Sequence, residues 1–290
     1  MRFNIWSFAA FAFAVAADSA ERPSRNPPLS SLNHVVFADL PAAPEPATNG
    51  ERFAQGLPPM RPRSHKHRAG SLRDTDRARR ATRVASAPRA DTSPVPSIQQ
   101  KCNVVARTKD TTLGYLVPQL NAFGQYGRFQ ASQAGSLQLL VSYVPGSDAP
   151  VNIIPINGPT KAYPYVGAAI GITSFSNDFD PGSPNYAYIV ATKQTPAGSR
   201  AVFGDSSSSA ATGIFMDYES AIWLYDPATN QLRPQWFNTD GSTPTTYLLY
   251  AQDDNGALMI TGDPQAVNMA FGTNYPQITF TCVPVVSMPA

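Results

Sequence analysis

From Cys102 onward, short apolar runs alternate with turn signals. LQLLVSYV (137–144), VNIIPI (151–156), YAYIVAT (186–192), AIWLY (221–225), YLLYA (247–251), ALMITG (257–262) and ITFTCVPVV (278–286) are rich in Val, Ile, Tyr, Phe and Thr. PGSDAP, NGP, DPGSPN, DPATN, NTDGSTP and DDNG separate such runs. β-branched and aromatic residues suit a pleated surface, and Gly, Pro, Asn and Asp suit tight turns. Hardly any window sustains a helical period; PQAVNMAF, after Asp263, is the one short helix predicted. Many short strands with turns between them predict an all-β domain, a single β-sandwich or jelly roll, over residues 101–285. No period repeats along the chain, which disfavours a propeller.

AIWLYDPATNQLRPQWFN carries the clearest local element. Asp226-Pro227 starts a turn, and Asn230 tolerates the left-handed conformation that closes a hairpin. A loop over 227–230 sets Tyr225 opposite Leu232 and Trp236 opposite Ala221, diagonal to Trp223 on one face. Tryptophans at such positions usually pack across strands, but Trp223 and Trp236 are also candidate sugar-stacking residues.

The first hundred residues follow a different pattern. Residues 1–17 hold Arg2, an apolar run from Ile5 and small residues at Ala14, Ala16 and Ala17, which reads as a secretory signal peptide. Elsewhere nothing approaches the ~18 apolar residues that a spanning helix needs, so no membrane span is expected. Residues 18–80 are dense in proline and poor in apolar residues, hence predicted disordered. Residues 81–100 are a Ser/Thr/Pro-rich linker, and 286–290 a short tail.

Charge sharpens this division. The formal net charge of +2 hides ten basic residues between Met60 and Ala90, against seven Lys or Arg and twelve Asp or Glu from Cys102 onward. Arg77-Ala78-Arg79-Arg80 reads as a dibasic processing site, with cleavage after Arg80 releasing a pro-peptide; a retained basic linker is the alternative. No aromatic residues interleave with these arginines, so nucleic acid is not an expected partner.

Cys102 and Cys282 bracket the domain, and in an exported chain they are expected to form a disulfide. All three histidines, His34, His65 and His67, precede the domain. This excludes Ser-His-Asp and Cys-His nucleophile systems and imidazole-based zinc or copper sites there. No phosphate-binding glycine loop is present. Asp217 and Glu219 share one face of an extended strand, the spacing a glycosidase pair needs, and are the candidate catalytic residues. Asn177, Asp178 and Asp180 offer oxygen ligands for calcium, the only cofactor considered. Trp236, Asn238 and Asp240 form a candidate ligand loop.

NGERFAQGLPPMRPR (49–63) resembles a segment of predicted secreted proteins from mushroom-forming fungi, in which a β-rich domain follows with a G-Y-L…N-x-F-G-x-Y-G block. Gly114-Tyr115-Leu116 and Asn121 to Gly127 match that block. The resemblance implies export and lineage, and no activity. The expectation is therefore an extracellular or cell-wall protein that binds a polysaccharide or wall glycan in a lectin-like manner. A carbohydrate-active hydrolase using Asp217 and Glu219, or a structural wall protein without a small ligand, are the alternatives.

Overall fold

The computed structural model describes residues 24–45, 48–54, 60, 97–252 and 255–285. The signal-peptide segment, the Arg77–Arg80 site and the C-terminal tail lie outside the described residues. The NGERFA stretch forms a short helix, α1 (Asn49–Ala54).

Among the described residues, fourteen strands form two antiparallel sheets. The chain begins in the first sheet with β1 (Ile98–Arg107), β2 (Thr112–Leu116), β3 (Phe129–Gln130), β4 (Gln138–Tyr143) and β5 (Ile153–Pro155). It crosses to the second for β6 (Tyr165–Ile170), β7 (Tyr186–Thr192), β8 (Val202–Gly204), helix α2 (Ser207–Thr212) and β9 (Met216–Glu219). β10 (Trp223–Asp226) and β11 (Gln231–Pro234) return to the first sheet, and β12 (Tyr247–Ala251) and β13 (Ala257–Thr261) to the second. After α3 (Pro264–Phe271), β14 (Thr279–Pro284) closes the first sheet against β1. The second sheet runs β12-β13-β7-β6-β9-β8.

The result is a β-sandwich, as the patterning predicts. Inward residues of both sheets, including Val104, Leu139, Val141, Ala168, Ile189, Leu258, Ile260 and Phe280, make one core. The Cys102–Cys282 disulfide lies in it, spanning a Cα–Cα distance of 5.3 Å between β1 and β14, the first and last strands of the domain. The 223–234 hairpin has the predicted register, Tyr225 opposite Leu232, and Asn230 closes it at φ 56°. PQAVNMAF forms α3, capped by the Asp263 side chain, which accepts from the Gln265 and Ala266 N–H groups.

Two features depart from a simple sandwich. The Asn121–Gly127 block is packed so closely that its two glycine positions leave no room for a side chain. A Cβ on Gly127 would sit 2.5 Å from the Ala257 Cα, and Gly124, at φ 73°, lies against the Ser207 carbonyl. The second sheet is also buried on both faces: every residue of β6 and β7 is buried. Its outer face carries a separate cluster of Ala169, Tyr186, Tyr188, Val190, Met259, Val267, Phe271 and Tyr275.

The N-terminal segment helps to cover that face. Residues 24–45 fall in the stretch predicted to be disordered, yet Tyr186 Oη donates to the Arg25 carbonyl at 3.2 Å and Gln125 Nε2 to Asn26 Oδ1 at 2.9 Å. Asn33 donates from its backbone N–H to the Ala211 carbonyl and from Nδ2 to the Ala210 carbonyl, both at the end of α2. Ala43 N–H reaches the Lys161 carbonyl at 3.0 Å. A proline-rich, apolar-poor segment has too little to bury on its own, but it can dock where the domain already presents a surface.

Candidate functional site

Both candidate tryptophans, Trp223 and Trp236, point inward. Trp223 is 1 % exposed and Trp236 0 %. Trp223 stacks on Phe280 at 6.0 Å and donates its indole N–H to the Val166 carbonyl at 2.7 Å. Trp236 stacks on Phe179 at 4.9 Å and donates to the Asn177 carbonyl at 2.7 Å. The sugar-stacking expectation is therefore corrected: neither ring has a free face, because each is clamped in the core by a second ring and a carbonyl.

The calcium and ligand-loop candidates prove to be neighbours, joined by hydrogen bonds to one another. Asn238, buried, accepts from the Phe179 N–H at 2.9 Å and donates to Asp180 Oδ1 at 3.3 Å. Asp178 accepts from the Thr239 N–H at 2.6 Å and from its hydroxyl at 2.9 Å. Asn177 Nδ2 donates to Asp217 Oδ2. Asp240 caps its own turn through the Ser242 N–H at 2.7 Å. These oxygens close two loops over one end of the sandwich rather than converge on a cation. Among the described residues no three His, Cys, Asp or Glu side chains lie close enough to hold a metal. Asn177, Asp178, Asp180, Asn238 and Asp240 are thus engaged in hydrogen bonds within and between the two loops.

The two carboxylates lie on one strand, β9, and differ in burial. Asp217 lies near the edge strand β8, opposite Phe203. Glu219 pairs with Ala168 of β6 and is buried with it, 1 % exposed. Neither Glu219 oxygen completes a hydrogen bond. Burial pushes its carboxyl up to about 8; the nearby backbone N–H groups of Phe237 and Ala201 oppose that shift without reaching full hydrogen-bond geometry. A raised carboxyl is what a general acid needs, but a general acid must also reach substrate. Neither of two clefts beside α3 is lined by Asp217 or Glu219, so a glycosidase pair is not assembled in them.

Those clefts flank Pro264 at the start of α3. The smaller, about 560 Å³, holds Asp180, Asn238, Tyr247 and Asp263. The backbone N–H groups of Ala266 and Gly182 hold the Asp263 carboxyl below the usual range, which suits a cap and not a proton donor. The larger, about 940 Å³, is an open groove between the β1–β2 turn and the chain around α3. Thr108, Thr111, Gln252, Gln265, Asn274 and Gln277 contribute hydroxyl and amide groups to its walls. Asn268 stiffens one wall by accepting from the Tyr275 N–H at 2.7 Å and the Thr273 hydroxyl at 3.0 Å.

Nothing in the spacing of these residues singles them out beforehand. Their separation in sequence, from Thr108 to Gln277, hides a groove that only the β1–β14 pairing and α3 assemble. Comparison with models of known families, with curated proteins and with solved structures finds no match. The disulfide is compatible with an oxidising compartment. No helix among the described residues is long and apolar enough to cross a membrane.

Proposed function

We propose that this chain is an extracellular or wall-associated glycan-binding module, and that it binds through the groove between the β1–β2 turn and α3. The observation that carries this reading is the groove's lining. Amides offer paired donors and acceptors, and hydroxyls offer both at once, which matches the hydroxyl-rich surface of a polysaccharide. The tryptophans do not contribute to the site. The resemblance to secreted fungal proteins, the signal-peptide pattern and the Arg80 processing site agree with export to a wall-rich surface.

A second reading, a structural wall protein without a small ligand, draws on the burial of both tryptophans. One experiment separates the two. The secreted protein is incubated with chitin, β-glucan, cellulose and mannan, and both retention and released sugar are measured. Glycan binding predicts saturable retention without sugar release, reduced at least tenfold when Gln265, Asn274 and Gln277, all exposed in the groove, are replaced together by alanine. Absence of retention on every polymer sinks the glycan reading and leaves the structural one. Sugar release that persists in a Glu219→Gln variant points to an unrecognised acid–base pair.

A further inference from the structure

The outer face of the second sheet contains an aromatic site that is already occupied. The Arg25 guanidinium carbon lies 4.6 Å from the centre of the Tyr275 ring and 5.9 Å from that of Phe271. Its Nη1 is 3.7 Å from the Met259 sulfur. Tyr186, set edge-on to both Tyr188 and Phe271 at 5.2 and 5.5 Å, donates its hydroxyl to the Arg25 carbonyl. Rings, a thioether and a carbonyl-directed hydroxyl thus hold one arginine by its side chain and its backbone. Gln125 and the end of α2 then fix the following residues through Asn26 and Asn33.

We propose that this face is a binding site for an arginine-bearing peptide, and that residues 24–33 are its built-in occupant. Two observations combine to support it. Tyr186, Met259, Phe271 and Tyr275, which surround Arg25, all belong to the domain, in β7, β13, α3 and the chain after α3. The occupant itself lies on the far side of Arg77–Arg80, so a cut there turns an intramolecular contact into an exchangeable one. A tether supplies an effective concentration in the millimolar range, which cleavage removes. The uncut chain is then closed to other arginine peptides, and the cut chain is open to them. This inference does not rest on glycan binding, although Tyr275 borders both sites.

The test introduces a unique protease site in place of Arg77–Arg80, so that its outcome is independent of natural processing. The probe is a fluorescent peptide of residues 24–45, followed by polarisation before and after cutting and removal of the released segment. The uncut protein is expected not to bind it, and the cut protein to bind it saturably. An Arg25→Ala peptide should bind at least tenfold more weakly, with Arg25→Lys in between; tenfold is 1.4 kcal/mol, within the range of a partly desolvated cation–aromatic pair. Equal binding by the Arg25→Ala peptide overturns the proposal, and so does equal binding by cut and uncut protein. Should the stripped domain unfold, the intact chain carries the test. Arg25→Ala should speed amide exchange at Asn33 at least tenfold and leave Val104 unchanged, and an unchanged Asn33 rate overturns the proposal.

Discussion

Replacing Glu219 by glutamine should abolish a large pH dependence of stability. The folded carboxyl, pushed up to about 8 by burial, stays protonated at neutral pH, whereas in the unfolded chain it ionises near 4.5. Below 4.5 both states hold the proton, and the fold keeps its full stability. As pH rises the unfolded state releases the proton and the folded state does not, so stability falls until the folded carboxyl also ionises. At about 1.4 kcal/mol per unit, the loss reaches about 3 kcal/mol at pH 7 and levels near 5 kcal/mol above pH 8. These figures are upper bounds, because relaxation and water entry lower the cost of a buried charge. Glu219→Gln keeps the shape and removes the ionisation. Urea denaturation at unit steps from pH 4 to pH 9 should show the variant gaining steadily on the wild type between pH 5 and pH 8. Parallel curves over that range would refute the reasoning, since they require a carboxylate that is solvated or paired when folded.

Two further outcomes follow from the fold. Replacing Cys102 and Cys282 together by serine frees a 180-residue separation, and chain entropy puts the loss at up to about 5 kcal/mol; a midpoint in urea unchanged from the oxidised wild type would contradict it. Gly127→Ala places a methyl group 2.5 Å from the Ala257 Cα. It should cost about 2 kcal/mol or more through displaced backbone, measured as a lowered thermal midpoint, while an alanine at the open Gly135 tests only the loss of its φ of 77°.

Local patterns were readable wherever neighbouring residues decide the outcome. The 223–234 register follows from a turn whose residues accept the required dihedrals, and Asn230 takes the left-handed conformation. α3 begins where Asp263 can cap it. Helix α2, SSSAAT, carries little helical signal in sequence because serine has no strong helical preference of its own; its start depends on the reciprocal Ser206–Ser209 capping bonds. β6, YVGAAI, is not legible in sequence because glycine and alanine weaken a strand signal, and tertiary burial makes up for it.

Alternation in a strand says which residues share a face, but not what covers it. Trp223 and Trp236 were assigned to one face from sequence, yet only the opposing sheet, with Val166, and the 177–179 loop placed that face inside. Asn177 to Asp180 and Asn238 to Asp240 read as two separate ligand loops until folding set them against each other. Residues 24–45 are dense in proline and poor in apolar residues, so they have little to bury on their own. Their place on the domain depends on Tyr186, Phe271 and Tyr275, more than a hundred residues away, which no local window contains. Sequence therefore determined the strands rich in β-branched and aromatic residues, the turn chemistry and the disulfide, all set by short-range preference or by a single pair of thiols. Tertiary structure decided which faces are dry, which polar groups are spent on one another and which groove stays open, because each depends on surfaces brought together from distant parts of the chain.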